Sequence, residues 1–473
     1  MAARGGSAIP AGMTERPDWL DPALAYVRDW LGYQMRVSEQ PGCAVAVAWK
    51  DEVVMEAAFG HADVLAGEAL TPRHRHRVAS HSKSFTATAI LKLREQGRLK
   101  LDDRAGDHVD GLGPEIAAAT LAQLLSHTAG VERDGPSCEY WQDRKPFLSE
   151  AELRAELAAP RVIEPAVRLK YSNHGFGLLG LVIEAVTGEP YGVWVKREVV
   201  DAAGLTETTP DAPLPDGAPL ARGHSGKALL GRRLVFPGDQ PTHALAPATG
   251  FVSTAADLVR FFGQLAPTAE KSVLSVESRR EMSRQQWKDP WSPVDVGYGL
   301  GTMSGRFDGW DWFGHGGGFQ GYLTRTATIP AEHLTLSCLT NAADGPSTPW
   351  QDGIMAILKR FREAGAPNAD LADWTGRWWS VWGASDLVPV GDKVLVAAPG
   401  LANPVAKAAE ITVTAPDAGR ISQAGGFGSF GEPVHLIRGP DGALAGVQLA
   451  GTLMVREADL AAELTARYEG LPA

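Results

Sequence analysis

Ser80 and Lys83 stand three residues apart where a short predicted strand turns into a helix. Residues three apart on a helix share a face, so the hydroxyl and the amine can meet. A serine becomes an effective nucleophile when a base takes its proton, and a partly desolvated lysine can do this at neutral pH. The helix N-terminus adds a positive field where an oxyanion would form. Taken alone, the pattern also fits a capping serine followed by a solvated lysine.

Tyr171 and Asn173 form a second candidate pair, at the start of a predicted helix over residues 173–187. Residues two apart in an extended segment point the same way. A tyrosine near a lysine ammonium can be held as a phenolate, or it can relay protons to a leaving group. An asparagine can donate to a substrate carbonyl and accept from its N–H. The pair also fits a tyrosine packed between domains and an asparagine that caps the helix.

A glycine-rich stretch, Phe313-Gly-His315-Gly-Gly317-Gly318-Phe, lies between two predicted strands. Glycines at such a place allow the close approach of another backbone or of a substrate. The N–H of Gly318 can complete an oxyanion hole with the N–H of Ser80, and His315 is expected to project into the cleft. The alternative is a glycine-rich hairpin turn with an exposed histidine.

These three motifs, in this order, resemble those of the serine β-lactamase-like superfamily. The resemblance is to the branch that holds class C β-lactamases, DD-peptidases, D-aminopeptidases and related esterases. It covers about residues 20–362 and includes further matching stretches, which are Leu125–Gly130, Gly250–Leu258 and Tyr298–Gly301. It implies an α/β (α+β) fold with a helix-flanked antiparallel sheet, an all-helical region, and a site between them.

The resemblance also implies roles for the residues. By this resemblance, Ser80 matches the position of the acylated nucleophile and Lys83 that of its base. Tyr171 matches the position of the proton relay for the leaving group and the deacylating water. Asn173 is similar to a ligand of the substrate amide. No metal or organic cofactor is implied.

The third motif departs from the usual Lys-Thr-Gly, because His315 stands where most relatives carry lysine. An imidazole with an unperturbed pKa near 6.5 is mostly neutral at pH 7, so it would hold a substrate carboxylate less well. His-x-Gly resembles the third motif of D-aminopeptidases. Together with Gly317 and Gly318, His315 is therefore predicted to bind a peptide, amide or ester and to help stabilise the oxyanion.

The elements that must position these residues lie near both ends of the stretch from about residue 20 to residue 362. A helix is predicted over 20–38, a hairpin over 44–59, strands over 297–340 and a helix over 350–362. We expect the two ends to share one antiparallel sheet, with a helical insertion over about 95–255.

The second part of the chain differs in composition. Short strands split by Gly, Pro and Asp predict a small antiparallel β-barrel (lipocalin-like), or a sandwich, over residues 366–473. Trp378, Trp379 and Trp382 are expected to fill it. The hydrolase domain is accordingly predicted over residues 1–365.

Composition excludes several classes of partner. The 473 residues carry a net charge of −11, which argues against nucleic acid or an anionic membrane as the main partner. Three cysteines give no disulfide framework, and the spacing of His74, His76 and His81 predicts a solvated basic turn rather than a metal site. Residues 1–10 show no apolar signal region, so we expect a cytoplasmic protein, or a periplasmic one if a leader was removed.

The sequence therefore predicts a serine hydrolase that forms an acyl-enzyme at Ser80. The favoured substrate is a small or linear peptide or another small amide, as for a D-aminopeptidase-like peptidase. A carboxylesterase or lactonase on the same machinery is the first alternative, and a binding module with residual activity is the second. A homodimer is left open.

Overall fold

The computed structural model describes residues 16–291 and 296–469, and their contacts divide the chain into two compact units. One unit is Met35–Gln351, and the other joins the described residues up to Gln34 with those from Asp352 onward. The domain limits of 1–365 and 366–473 stay a prediction. The predicted absence of a signal segment concerns residues 1–10, which lie outside the described residues.

The helices of the described residues vary from one turn to five. They are α1 (Leu20–Val37), α2 (Ser82–Glu95), α3 (Pro114–Ala117), α4 (Leu121–Leu125), α5 (Glu150–Glu156), α6 (Asn173–Thr187), α7 (Tyr191–Val195), α8 (Ala255–Gln264), α9 (Val276–Ser283), α10 (Ser347–Ala364) and α11 (Glu457–Tyr468). Within the described ranges no single helix is long and apolar enough to cross a bilayer, although α6 and the helical segment 191–201 pass that test as a pair bent by 81°.

Antiparallel strands build both units. In the first unit they are β1 (Gly42–Trp49), β2 (Glu52–Asp63), β3 (Glu68–Ala69), β4 (His76–Arg77), β5 (Gly223–His224), β6 (Val235–Phe236), β7 (Val252–Ser253), β8 (Trp287–Lys288), β9 (Val296–Tyr298), β10 (Met303–Phe307), β11 (Trp310–Phe319), β12 (Tyr322–Ile329) and β13 (Leu334–Thr340). The main sheet has the order β3-β2-β1-β13-β12-β11-β10-β9-β8, while β4 pairs with β7 and β5 with β6.

The centre of this sheet joins the start of the unit to its end. Every residue of β1 is buried, as expected for an apolar run of this length that is covered on both faces. Val45 is paired with Ala57 of β2 on one side and with Cys338 of β13 on the other. Helix α8 packs on β1 and β13. The prediction that the two ends share one antiparallel sheet is confirmed.

Polar caps fix where the helices around the sheet begin. Ser149 accepts a hydrogen bond from the N–H of Glu152 at the start of α5, and Thr254 accepts one from Asp257 at the start of α8. Ser172 accepts from the N–H of Gly175, so Ser172 rather than Asn173 caps α6. The Asn173 side chain is therefore available for the site.

Two strand predictions near the third motif were wrong in detail. Within the stretch 297–340, where strands were expected, the first strand ends at Tyr298 and a turn holds Gly301 at φ +69°. A Cβ on Gly301 would lie 2.8 Å from the carbonyl oxygen of Lys83, so the turn packs directly on α2. The glycine-rich stretch is not a loop between strands, because β11 continues through it to Phe319.

The second unit contains a closed antiparallel barrel, as predicted. Its strands are β14 (Gly376–Ser380), β15 (Gly383–Val390), β16 (Lys393–Ala397), β17 (Ala409–Ala415), β18 (Ala418–Gln423), β19 (Pro433–Arg438), β20 (Leu444–Leu449) and β21 (Thr452–Val455). Trp374 and Trp378 lie in the barrel core. Trp382 is 92% exposed at the turn between β14 and β15, so the expectation that it fills the barrel was wrong.

Candidate active site

Ser80 lies in a single helical turn, Ala79–His81, between β4 and α2. Ala79 has φ +47°, a left-handed conformation that residues with a Cβ rarely adopt and that the surroundings must hold in place. The turn leads straight into α2, and Lys83 Nζ lies 3.2 Å from Ser80 Oγ. The predicted meeting of the hydroxyl and the amine is present in the structure.

Lys83 is completely buried, and three oxygen atoms surround its amine. Its Nζ donates to Asn173 Oδ1 at 2.7 Å, to the carbonyl of Ala248 at 2.8 Å, and lies within hydrogen-bond distance of Ser80. Burial lowers the pKa of Lys83 well below its ordinary value, an effect that Asp134 opposes and Arg133 reinforces. The side chain is thus a lysine adapted to lose its proton.

Asn173 bridges Lys83 to a carboxylate. Its Oδ1 accepts from Lys83, while its Nδ2 donates to Asp134 Oδ1 at 2.5 Å. Since Oδ1 is already engaged, what the amide can offer a substrate is the second proton of Nδ2. The role of Asn173 as a substrate ligand stays a prediction.

Tyr171 is hydrogen-bonded to Ser80 through its hydroxyl, and Lys83 Nζ lies 4.7 Å from the centre of its ring. Burial raises the pKa of Tyr171 above its ordinary value, and the hydrogen bond with Ser80 only partly offsets this. The phenol therefore stays protonated at neutral pH. This favours the proton relay over the phenolate, the two alternatives that the sequence left open.

His315 lies on β11 and is 1% exposed, so it does not project freely into a cleft. Its Nδ1 lies 2.7 Å from the carbonyl of Gly316, which can only accept, so Nδ1 carries the proton. Its Nε2 then accepts from the hydroxyl of Tyr298 at 3.0 Å. Burial, followed by His81 and Lys83, lowers the pKa of His315 well below its ordinary value. The imidazole is neutral, as its chemistry predicted.

The two glycines of the third motif differ in their surroundings. A Cβ on Gly317 would lie 2.2 Å from the carbonyl oxygen of Val78, so only glycine lets β11 pass this close to the turn that carries Ser80. A Cβ on Gly318 would meet only the side chain of Leu323, at 3.6 Å. The backbone N–H of Gly318 as an oxyanion donor stays a prediction.

His127 packs against two tyrosines of the site; from the sequence it was expected beside the cleft, with a core or capping role favoured over substrate contact. Its ring centre lies 4.1 Å from that of Tyr171 and 4.6 Å from that of Tyr298. The N–H of Ser172 donates to His127 Nδ1 at 3.1 Å, and burial lowers the pKa of His127 well below its ordinary value. The available signal was the stretch Leu125–Gly130, which had been matched to the superfamily as a whole.

The histidines near Ser80 are core residues. His74, His76 and His81 are at most 5% exposed, so the predicted solvated turn was wrong. His81 bonds through Nδ1 to the carbonyl of Val78 and through Nε2 to Thr326. Across residues 16–291 and 296–469, no group of three or more His, Cys, Asp or Glu side chains is arranged to hold a metal ion.

A helix-flanked antiparallel sheet, with a serine and a buried lysine at the start of one core helix, defines the β-lactamase/transpeptidase-like fold. The family model described as Beta-lactamase matches residues 27–356, so the chain belongs to that family of hydrolases. Penicillin-binding protein 4 of Amycolatopsis lactamdurans is 27% identical over 322 residues, which cover 64% of this chain and 81% of that protein.

Two solved structures extend the comparison. The octameric penicillin-binding protein homologue from Pyrococcus abyssi has a TM-score of 0.63 and 22% identity, covering 91% of this chain and 99% of its own. At that identity the likeness shows the fold alone. The D-stereospecific amidohydrolase from Streptomyces sp. has a TM-score of 0.56 and 26% identity, covering 68% of this chain and 94% of its own.

Proposed function

We propose that this protein is a serine hydrolase that forms an acyl-enzyme at Ser80 and cleaves amide bonds in small peptides or amino-acid amides. The observation that carries the proposal is the set of neighbours around the Lys83 amine. Asn173 Oδ1 and the carbonyl of Ala248, at 2.7 and 2.8 Å, can only accept hydrogen bonds. A neutral amine has two protons and one lone pair.

The geometry therefore directs the lone pair of a neutral Lys83. Its two protons go to Asn173 and Ala248, and the lone pair faces the remaining neighbour, Ser80 Oγ at 3.2 Å. The hydroxyl of Ser80 then donates to the amine, which is the arrangement a general base requires. The burial that lowers the pKa of Lys83 favours this neutral form.

Acylation moves one proton from Ser80 to Lys83 and another from Tyr171 to the leaving amine. Ser80 Oγ bonds to the substrate carbonyl carbon while its proton passes to Lys83. As the tetrahedral intermediate collapses, the carbon–nitrogen bond breaks and the Tyr171 hydroxyl gives the amine its proton. The proton that Lys83 took from Ser80 then passes to the Tyr171 oxygen, so that both side chains return to their starting forms. Water then attacks the ester while its proton passes through the Tyr171 hydroxyl to Lys83. Lys83 returns that proton to Ser80 Oγ as the ester carbon–oxygen bond breaks, and the acid is released.

The substrate class follows from the neutral third motif. The residue at the usual lysine position is an imidazole that is buried and already bonded to Tyr298, so it offers no cation to a carboxylate. Substrates without a carboxylate next to the scissile bond are therefore favoured over penicillins. The similarity to a D-stereospecific amidohydrolase supports an amide substrate and a D-configured acyl group.

An esterase or lactonase would use the same residues. The protonated phenol of Tyr171 favours the amide, because an amine leaving group must gain a proton whereas an alkoxide leaves more readily without one. A binding module with residual activity is disfavoured by the hydrogen-bonded contact of Ser80 with both Lys83 and Tyr171.

The test is covalent labelling with a fluorophosphonate, followed by mass determination of the modified peptide. We expect one adduct, on Ser80, and no adduct in Ser80→Ala. D-amino-acid p-nitroanilides are then compared with p-nitrophenyl esters. Turnover of esters alone would make the protein an esterase, and a folded protein that is labelled by no probe would overturn the enzyme proposal.

A further inference from the structure

Asp134 occupies the far side of Asn173 from Lys83. We infer that Asp134 is a positioning residue, which fixes the side-chain amide of Asn173 in one orientation and so directs the lone pair of Lys83 toward Ser80. This inference rests on the proposed function. No motif of the sequence analysis includes Asp134, and its side chain is 13% exposed.

The carboxylate of Asp134 accepts three hydrogen bonds. Its Oδ1 accepts from Asn173 Nδ2 at 2.5 Å and from Trp141 Nε1 at 3.0 Å, and its Oδ2 accepts from Arg133 Nε at 2.9 Å. Hydrogen bonds to an ionised acceptor are charge-assisted and about twice as strong as those between two neutral groups. The amide of Asn173 is thus held by a charged partner on one side and by Lys83 on the other.

The backbone beside Asp134 is fixed to the same helix. The carbonyl of Glu132 accepts from Ser172 Oγ at 2.5 Å, and the carbonyl of Arg133 accepts from the N–H of Asn173 at 2.9 Å. These two bonds join residues 132–133 to the first turn of α6. The carboxylate is therefore placed by contacts that do not depend on its own side chain.

The orientation of Asn173 matters because its amide has two different ends. A carboxylate can only accept, so Asn173 must turn Nδ2 toward Asp134, which leaves Oδ1 for Lys83. An amide at position 134 removes this constraint, since it can also donate. Asn173 could then turn Nδ2 toward Lys83, whose lone pair would accept from it and be withdrawn from Ser80.

The decisive variant is D134N, which keeps the size of the side chain. We expect the rate of fluorophosphonate labelling at Ser80 to fall about 100-fold, within the range ascribed to a positioned general base. For a turned-over amide, kcat should fall while KM changes little. The matched control is W141F, which removes a different hydrogen bond from the same carboxylate oxygen and should label within about threefold of wild type.

A double variant separates positioning from structural support. In D134N with N173D the donor and the acceptor exchange places, so an oxygen that can only accept again faces Lys83. We expect labelling at least about tenfold faster than in D134N. Its labelling rate should rise at higher pH than that of wild type, because a carboxylate beside Lys83 favours the ammonium. The other groups around the amine are the same in both proteins: Tyr171, His127, His315 and Arg133.

The labelling rates distinguish failure of the positioning role from failure of the proposed function. A folded D134N that labels at the wild-type rate, or a folded double variant no faster than D134N, overturns the positioning role while the proposed function stands. If thermal unfolding shows that D134N alone does not fold, the double variant carries the test. Its Ser80 must be labelled, and the labelling rate must rise at higher pH than in wild type. Absence of labelling in wild type would instead overturn the proposed function, and this inference with it.

Discussion

Tyr298 donates its hydroxyl proton to Nε2 of His315 across a distance of 3.0 Å, inside a fully buried part of the sheet. The register brings the two residues to the same level of the sheet. Tyr298 and Gly314 are both paired with Met303, from opposite sides of β10, so the tyrosine lies level with the residue before His315. The bond fixes the neutral tautomer of the imidazole, and with it the charge of the third motif.

Replacing His315 by lysine should change which substrates the site accepts. The ammonium of His315→Lys could donate to the Tyr298 oxygen and to a substrate carboxylate. One charge-assisted hydrogen bond of about 1.5–3 kcal/mol corresponds to roughly a tenfold or larger gain in the acylation rate by a fluorescent penicillin. His315→Gln is the control, since it stays neutral. Equal penicillin labelling in the two variants would contradict the role given to charge at this position.

The pH dependence of acylation should report the protonation of Lys83. Only the neutral amine accepts the proton of Ser80, so kcat/KM should rise with pH as Lys83 loses its proton, and the midpoint should lie well below 10.5. Arg133 lowers the pKa of Lys83, so in Arg133→Gln the rise of kcat/KM should occur at higher pH. Lys83→Arg keeps its proton throughout and should lose about 100-fold or more.

The same titration can contradict this assignment. A rising limb that stays in place in Arg133→Gln, or one that persists in Lys83→Arg, would mean that another group limits the rate. Single-turnover labelling with a fluorophosphonate measures the attack of Ser80 on the probe without interference from product release, and intact-protein mass spectrometry counts the adducts.

Gly317 should be far less tolerant of substitution than its neighbour. A Cβ at Gly317 falls 2.2 Å from the carbonyl oxygen of Val78 and 2.5 Å from Thr324 Oγ1, so Gly317→Ala must displace backbone. We expect a loss of about 1–3 kcal/mol in the free energy of unfolding, as for other overpacked sites. Gly318→Ala, where the nearest atom is 3.6 Å away, should keep the wild-type Tm. Similar losses in both variants would show that packing against Val78 is not what requires glycine.

Local rules predicted the parts of the site that depend on local geometry. The contact of Ser80 with Lys83 follows from a spacing of three residues at a helix start. The run of short strands likewise predicted the closed barrel, because strands of that length must close or stack to bury one face.

Long-range contacts could not be predicted in the same way. Asp134 meets Asn173 from 39 residues away, in a segment without periodicity, and Tyr298 meets His315 across the intervening strand β10. His127 joins the cluster with φ +57°, a conformation that sequence pattern does not indicate for a histidine. The burial of His76 and His81 was missed because polar residues in a short turn are usually solvated.

The buried histidines should make the unit Met35–Gln351 sensitive to acid. Burial lowers the pKa of His76 to about 3 from an ordinary value of 6.5, so below pH 6.5 the unfolded chain binds a proton that the folded chain does not. The stability that depends on neutral His76 is thus fully present above pH 6.5 and is lost progressively as the pH falls toward 3. At pH 5 this amounts to roughly 2 kcal/mol, at about 1.4 kcal/mol per pKa unit.

Urea unfolding at pH 7.5 and pH 5 measures this loss directly. In His76→Gln the difference between the two free energies of unfolding should shrink by about 2 kcal/mol, because the glutamine does not titrate. The control is His61→Gln, at an exposed position of β2, where we expect the pH dependence of the wild type. An unchanged difference in His76→Gln would mean that His76 is protonated in the folded protein, which its complete burial and its unpartnered Nε2 argue against.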